Sequence, residues 1–179
     1  GERTSAGVLA LLLAALAMIG PFSVDTYLPA FPVIGESLSA SPMQVQQTLT
    51  AYMASFAVMT LWHGALSDSF GRRSIILIAL AVYAVASIGC AAVHRIEYLW
   101  VFRILQGLSA GAGVVIGRAI IRDLYSGSEA ERMMSLVTMI FSVSPAIAPI
   151  VGGWIVSVSV WRSIFLMLFI FALLMLDRK

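Results

Sequence analysis

The chain reads Leu99-Trp-Val-Phe-Arg103-Ile-Leu-Gln106-Gly107-Leu-Ser-Ala-Gly111-Ala-Gly113-Val-Val-Ile-Gly117 through the segment that decides its fold. As a helix, this segment is long enough to cross a hydrocarbon layer of about 30 Å. A guanidinium inside such a helix costs roughly 2.5–3.5 kcal/mol on insertion scales, so it normally faces a bundle interior, a partner or a wet cavity. Arg103, Gln106 and Gly107 share one face. Glycines spaced for close helix approach recur in the pairs Gly107/Gly111 and Gly113/Gly117. This face is typical of a transport pathway rather than of a passive anchor.

The composition excludes an ordinary soluble domain. The 179 residues are 60% hydrophobic and only 11% charged, whereas soluble domains contain about 25% charged residues. We therefore predict an integral membrane protein that does not bind nucleic acid. The single cysteine, Cys90, excludes an intrachain disulfide. No spacing typical of a metal site is present, and we expect no metal and no cofactor.

Six membrane-spanning helices are predicted, at about 6–30, 42–64, 74–94, 97–117, 130–157 and 161–176. The first is interpreted as a retained helix rather than a signal peptide, because further spans follow it. Capping boxes are predicted at Ser41-Pro42-Met43-Gln44 and at Ser128-Glu-Ala-Glu131. The chain starts at Gly1 and stops at Lys179, just past an apolar run. We expect it to have been trimmed at both ends.

Basic residues predict the orientation. With the N-terminus in the cytoplasm, the inner side holds eight of them and the outer side only two. The inner set is Arg3, Arg72, Arg73, Arg118, Arg122, Arg132, Arg178 and Lys179, and the outer set is Arg95 and Arg162. This bias indicates that both termini are cytoplasmic.

Two charges of opposite sign lie at similar depth inside predicted spans. Asp25 lies near the outer end of the first span, and Arg103 lies roughly 9 Å inward from Glu97 at 1.5 Å per residue. Such a placement suits an ion pair that a proton can switch. In the alternative interpretation, Asp25 caps a proline-broken helix end and Arg103 snorkels outward.

Polar residues also recur along the second span at three-to-four spacing, namely Gln44, Gln47/Thr48, Tyr52 and Ser55. They either line a cavity mouth or form an amphipathic helix end packed on its neighbours. His63 lacks any metal-site context and is predicted to be a surface or interfacial residue.

Two further stretches have unusual backbone chemistry. Gly64-Ala-Leu-Ser-Asp68-Ser-Phe-Gly71-Arg72-Arg73 predicts a tight turn, with Asp68 ahead of the next helix and Arg72 within its reach. Ser144-Pro145-Ala-Ile-Ala148-Pro149-Ile-Val-Gly152-Gly153 predicts a kinked helix in near-contact with a neighbour.

Together these stretches resemble the major facilitator superfamily. Gly64-x-x-x-Asp68-x-x-Gly71-Arg72-Arg73 is similar to its loop 2–3 signature, and Leu99-x-x-x-Arg103-x-x-Gln106-Gly107 to the helix 4 signature of proton-driven members. The run from Ser144 to Gly153 resembles the antiporter signature of helix 5, with Ser and Ala in place of two glycines. Asp25-Thr-Tyr27-Leu28-Pro29-Ala30 and Arg118-Ala-Ile-Ile-Arg122-Asp123 resemble the bicyclomycin/chloramphenicol-resistance (Bcr/CflA) branch of drug:proton antiporters.

The resemblance implies the N-terminal half of a twelve-helix transporter, built from two inverted three-helix repeats. The partners would be the C-terminal half, the lipid bilayer and a small hydrophobic or cationic drug, exported by alternating access at the expense of the proton gradient. The location would be the bacterial inner membrane.

The resemblance also implies roles for residues in this sequence. Asp25 and Arg103 would couple protons, and Tyr27, Gln47, Tyr52 and Gln106 would contact the substrate. A cytoplasmic latch to the other half would comprise Gly64, Asp68, Gly71, Arg72 and Arg73. A kinked wall in helix 5 would comprise Pro145, Pro149, Gly152 and Gly153. The alternatives are plain positive-inside anchoring for the latch and simple small-residue packing for the wall.

Other functions stay open at this point. A natural six-helix protein could work as a homodimeric channel or small exporter, and the same fold could be a uniporter or symporter. An intramembrane enzyme is disfavoured, since the spans contain no Gly-x-Gly-Asp, no HExxH and no plausible Ser/His pair.

Overall fold

The computed structural model describes residues 6–158 and 162–177, and over those ranges the chain is helical with no strand. The helices are α1 (Ala6–Asp25), α2 (Phe31–Ser37), α3 (Pro42–Phe70), α4 (Arg72–Ala92), α5 (Ile96–Ala110), α6 (Ala112–Leu124), α7 (Gly127–Phe141), α8 (Ser144–Val158) and α9 (Arg162–Asp177). A 3₁₀ turn, Leu28–Ala30, joins α1 to α2. The all-helical prediction is confirmed. The helices form six successive rods, since α1 with α2, α5 with α6, and α7 with α8 each make one interrupted rod.

Four of these rods are long and apolar enough to cross a membrane within the described residues: Ala10–Ser37, Arg72–Ala92, Ile96–Leu124 and Gly127–Ile155. The rod α3 is long enough but more polar, because it carries the Gln, Thr and Ser stripe of the second span. The described part of α9 has 16 residues. The orientation in the membrane stays a prediction, and Arg3, Arg178 and Lys179, on which it partly depends, lie outside the described residues.

One of the two predicted helix starts is confirmed. Ser41 Oγ accepts a hydrogen bond from the Gln44 backbone N–H at 3.2 Å, and Gln44 Oε1 accepts one from the Ser41 N–H at 2.9 Å. The second prediction is wrong. Helix α7 begins at Gly127, ahead of Ser128, and its N-terminal flanking residue Ser126 makes no side-chain cap. Ser128 therefore already lies inside the first turn and cannot cap it.

The turn predicted at Gly64–Arg73 is shorter than expected. Helix α3 continues to Phe70 and ends at Gly71, whose φ of 95° favours glycine. Nothing between Gly64 and Phe70 breaks a helix, so the chain turns only at Gly71. Asp68 lies on the last turn of α3, ahead of α4, and Arg72 at the start of α4 reaches it as predicted.

The fifth span is interrupted, in keeping with its prolines. A turn at Ser142 and Val143 separates α7 from α8. Pro145 then falls in the first turn of α8, where its missing N–H costs nothing. Pro149 lies inside α8 and removes one backbone hydrogen bond there.

The fourth span is the centre of the bundle. Its first part, α5, packs against α3 and α4, and its second part, α6, packs against α1. Two glycines make this possible. A Cβ on Gly107 would lie 2.3 Å from the Tyr52 carbonyl oxygen, and one on Gly113 would lie 2.1 Å from the Leu16 carbonyl oxygen. Side chains at these positions would force the backbones apart, so the predicted close approach is present.

Candidate functional site

A buried arginine lies at the centre of the bundle. Arg103, on α5, is 0% exposed, and its Nη1 donates a hydrogen bond to Gln106 Oε1 at 2.9 Å. Its guanidinium carbon lies 4.3 Å from the ring centroids of both Tyr27 and Tyr52, and 5.9 Å from that of Phe165. Within the described residues, its Nε and Nη2 have no hydrogen-bond partner. The cation is thus held by aromatic faces rather than by a carboxylate, and outward snorkelling of Arg103 is wrong.

Gly107 explains why Arg103 reaches these rings. It follows Arg103 by one helical turn and touches the α3 backbone at Tyr52, with no side chain in between. The close contact draws α5 onto α3, so Arg103 lies directly across the Tyr52 ring.

The two tyrosines tie α1 and α3 together in a reciprocal way. The Tyr27 hydroxyl, from the segment after α1, shares a hydrogen bond with Thr48 Oγ1 on α3. The Tyr52 hydroxyl, on α3, donates to the Gly20 carbonyl on α1 at 2.7 Å. Both side chains are fully buried. The hydroxyls therefore fix the orientation of the rings that flank Arg103.

Gln106 connects the arginine to α4. Its Nε2 donates to Ser87 Oγ at 2.9 Å, and its Oε1 lies 3.6 Å from the Cys90 thiol as well as accepting from Arg103. Gln106 is 0% exposed. Neither Ser87 nor Cys90 was predicted to belong to the site. Both lie on the buried face of α4.

The four predicted substrate contacts do not form one surface. Tyr27, Tyr52 and Gln106 are fully buried with their polar atoms engaged, while Gln47 is exposed on the outside of α3. Burial of Thr48 and Ser55 places the rest of the polar stripe inside the bundle. Of the two interpretations of the stripe, helix packing is the one that fits this conformation.

Asp25 and Arg103 are not in contact. In the part of the chain that the structure describes, the ion pairs are Arg72–Asp68, Arg72–Asp123 and Arg95–Glu97. Asp25 is half-buried at the end of α1. Asp25 is the last residue of α1 and precedes Tyr27, which lies against Arg103, by two residues. The predicted pairing of Asp25 with Arg103 is therefore absent from this conformation of the described residues.

A second cluster joins three helices near the Gly71 turn. Arg72 Nη1 lies 2.5 Å from Asp68 Oδ1 and donates to Ser67 Oγ at 2.6 Å, while Arg72 Nε donates to Asp123 Oδ2 at 3.0 Å. Neither Asp123 nor Ser67 was expected to take part in this cluster. The signal for Asp123 was its position at the end of the fourth span, on the same side of the bundle as the turn.

Other members of the predicted latch contribute less. Arg73 is exposed. A Cβ on Gly64 would meet Val115 Cγ1 at 3.6 Å, an ordinary contact. His63, one residue before Gly64, is only 3% exposed, and its ring Nε2 lies 3.0 Å from the Leu108 carbonyl. Of the two predicted positions, surface or interfacial, the surface one is wrong, because the packing of α3 on α5 covers His63 and leaves it between these two helices.

The predicted wall of the fifth span separates into two parts. Gly152 is buried, and a Cβ there would lie 2.3 Å from the Thr26 carbonyl oxygen. Gly153 has open space at the same position, and Pro145 and Pro149 are exposed. Only Gly152 makes the expected near-contact.

A cavity of about 420 Å³ opens between α1, α6 and α7. Its walls are mainly apolar, and Arg118 and Arg122 lie at one end; the lining includes Leu13, Ala17, Val114 and Phe141. Its volume falls within the range of about 300–1,000 Å³ that is usual for small-molecule sites.

Comparison with known proteins agrees with this architecture. The pattern of the Major Facilitator Superfamily matches residues 10–176. The MFS-type transporter YdgK of Bacillus subtilis (strain 168) is 41% identical over 169 residues, covering 93% of this chain and 42% of that protein. The bicyclomycin resistance protein homolog of Haemophilus influenzae is 37% identical over 173 residues, covering 97% of this chain and 44% of that protein.

A solved structure has the same fold at low sequence identity. The crystal structure of a bacterial homolog of the human lysosomal transporter Spinster superposes with a TM-score of 0.81 at 16% identity, covering 100% of this chain and 44% of that one. The chain therefore spans less than half the length of the proteins it matches. The match over residues 10–176, almost the whole chain, shows the family: the chain belongs to the Major Facilitator Superfamily.

Proposed function

We propose that this chain is the N-terminal half of a proton-coupled exporter of small hydrophobic, neutral or cationic, drug-like molecules in the bacterial inner membrane. Membership of a transporter family and similarity to a bicyclomycin resistance protein homolog support the proposal. The observation that carries it is Arg103, a completely buried cation that no carboxylate from the described part of the chain pairs with. A charge so costly to bury is usually retained for transport or coupling.

Asp25 is the proposed proton carrier. A protonated, neutral Asp25 exerts little attraction on Arg103, so the separated arrangement fits the proton-loaded state. Loss of the proton would create a carboxylate that competes with the two tyrosine rings for the guanidinium. Rearrangement around Tyr27 would then couple proton release to the alternation of access between the two sides.

The cluster around Arg72 is the proposed latch. On the predicted cytoplasmic side, Asp68, Arg72 and Asp123 join the ends of α3, α4 and α6 into one unit. The C-terminal half would dock on this unit in the outward-open state. Labelling of cysteines introduced at His94 and Ser126 from opposite sides of the membrane tests the orientation on which this depends.

Asp25→Asn tests the coupling role in the transporter that contains this chain. We expect loss of drug-evoked proton release and of drug resistance, with normal expression and folding. Glu36→Gln is the matched control, because it neutralises an exposed carboxylate on neighbouring α2. Wild-type proton release in Asp25→Asn would remove Asp25 from the mechanism.

Arg103 is tested by paired substitutions. Arg103→Ala should reduce transport more than Arg103→Lys, since lysine keeps the buried charge.

An imposed pH gradient in proteoliposomes separates antiport from the alternatives. Uptake that follows the proton would indicate a symporter, and transport indifferent to the gradient would indicate a uniporter or channel.

A further inference from the structure

We propose that Tyr27 and Tyr52 are positioning residues that hold the Arg103 guanidinium between their ring faces when no carboxylate is paired with it. The inference rests on the proposed function, because Arg103 is the proposed coupling cation. It goes beyond that function by assigning two aromatic rings as the groups that stabilise Arg103 when no carboxylate is paired with it. It also replaces the expectation that the two tyrosines contact substrate.

The geometry is that of a double cation–π contact. Both ring centroids lie 4.3 Å from the guanidinium carbon, well inside the limit of about 6 Å at which such contacts are effective. Tyr27 is 0% exposed and Tyr52 is 1% exposed. A desolvated cation benefits most from the negative face of an aromatic ring, because no water screens the attraction.

The hydrogen bonds of Arg103 do not account for the stabilisation of its buried charge. Among residues 6–158 and 162–177, its one hydrogen bond goes to Gln106, and Nε and Nη2 have no acceptor. A buried charge without a partner is strongly disfavoured. The ring faces supply the attraction that the missing acceptors would otherwise provide.

The hydroxyl groups anchor both rings at the end away from Arg103. Tyr27 is anchored through Thr48, and Tyr52 through the Gly20 carbonyl, so both hydroxyls are engaged away from Arg103. A ring fixed at its far end presents its face rather than its hydroxyl to the cation. Neither polar atom is free to bind a substrate.

Graded fluorination of the rings tests the proposal. Phenylalanine and its mono-, di- and trifluoro analogues are incorporated at position 27 or 52 of the transporter that contains this chain. Each fluorine weakens the negative ring face with little change in volume. We expect the unfolding midpoint to fall stepwise, with a change on the order of tenfold per ring in the ratio of folded to unfolded protein across the series.

The same series in an Arg103→Met background separates the cation–π contact from packing. Without the cation the trend should disappear, as a double-mutant cycle requires. Tyr83 is the matched control position. It is 1% exposed and hydrogen-bonded to Ser23, and among the described residues the rings stacked on Arg103 are those of Tyr27, Tyr52 and Phe165, not Tyr83.

Three outcomes would overturn the proposal: a flat series at both tyrosines, an equal trend in Arg103→Met, or an equal trend at Tyr83. This readout is independent of proton transport. If Asp25→Asn keeps its proton coupling while the fluorine trend depends on Arg103, the coupling proposal fails and the positioning role stands.

Discussion

Gly107→Ala should push α5 away from α3 and loosen the site around Arg103. The new Cβ would lie 2.0 Å from Ser55 Oγ and 2.3 Å from the Tyr52 carbonyl oxygen. The Ser55 hydroxyl can rotate away, but the carbonyl belongs to the helix backbone and cannot. Ordinary contact begins at 3.4 Å, so the helices must separate by about 1.1 Å at this point.

The energetic cost follows from two opposing effects. Overpacking of this kind costs typically about 1–3 kcal/mol. Alanine is a better helix former than glycine by about 1 kcal/mol, which offsets part of that cost. We therefore expect a net loss of about 0–2 kcal/mol in the free energy of unfolding. The same movement would take the guanidinium from 4.3 Å towards about 5.4 Å from the Tyr52 ring, close to the limit of cation–π attraction.

Gly117→Ala is the matched control, because it lies on the same span and is also buried. A Cβ there would meet Leu13 Cδ2 at 3.8 Å, an ordinary contact. Only the helix-propensity gain remains, so the two variants should differ by about 1–3 kcal/mol in stability. Thermal unfolding of the purified transporter measures this difference, and drug-evoked proton release measures the effect on Arg103. Equal stability and equal transport in Gly107→Ala and Gly117→Ala would refute the reasoning.

Two further predictions follow from other contacts. Gly152→Ala should lower the unfolding temperature, because its Cβ would lie 2.3 Å from the Thr26 carbonyl oxygen. Gly153→Ala, with open space around its Cβ, should not lower it. A larger drop in unfolding temperature for Gly153→Ala than for Gly152→Ala would contradict this packing of α8 against Thr26. Asp123→Asn should change the free energy of unfolding by less than about 1 kcal/mol, since this carboxylate is 52% exposed, but it should reduce efflux if the ion pair serves the latch. A large loss of stability with unaltered efflux per folded molecule would assign the pair to folding instead.

Much of the fold was predictable because membrane insertion restricts the choices. In hydrocarbon the backbone must satisfy its own hydrogen bonds, so long apolar runs become helices. The break before Pro145 and the cap at Ser41 also followed from local chemistry that involves neighbouring residues only. The start of α7 and the extension of α3 to Phe70 were missed, because several residues there suit either a helix end or a helix interior.

The site was only partly predictable. The sequence identified Arg103 and Gln106 as a polar face in an apolar span, since period and hydropathy are visible without coordinates. It could not show that Tyr27 and Tyr52, far apart along the chain, would cover Arg103 from both sides. Nor could it show that Asp123 would reach Arg72, because an ion pair between α6 and α4 depends on how the helices pack.

The sequence by itself determined that this protein is a bundle of membrane-spanning helices with a buried arginine, because hydrophobicity and helical period are local properties of the chain. Only the tertiary structure decided what accompanies that arginine. Gly107 lets two backbones touch, and the rings of Tyr27 and Tyr52 lie against the cation. Which side chain faces a buried charge depends on the rotation and separation of helices, and these are set by contacts between residues distant in sequence.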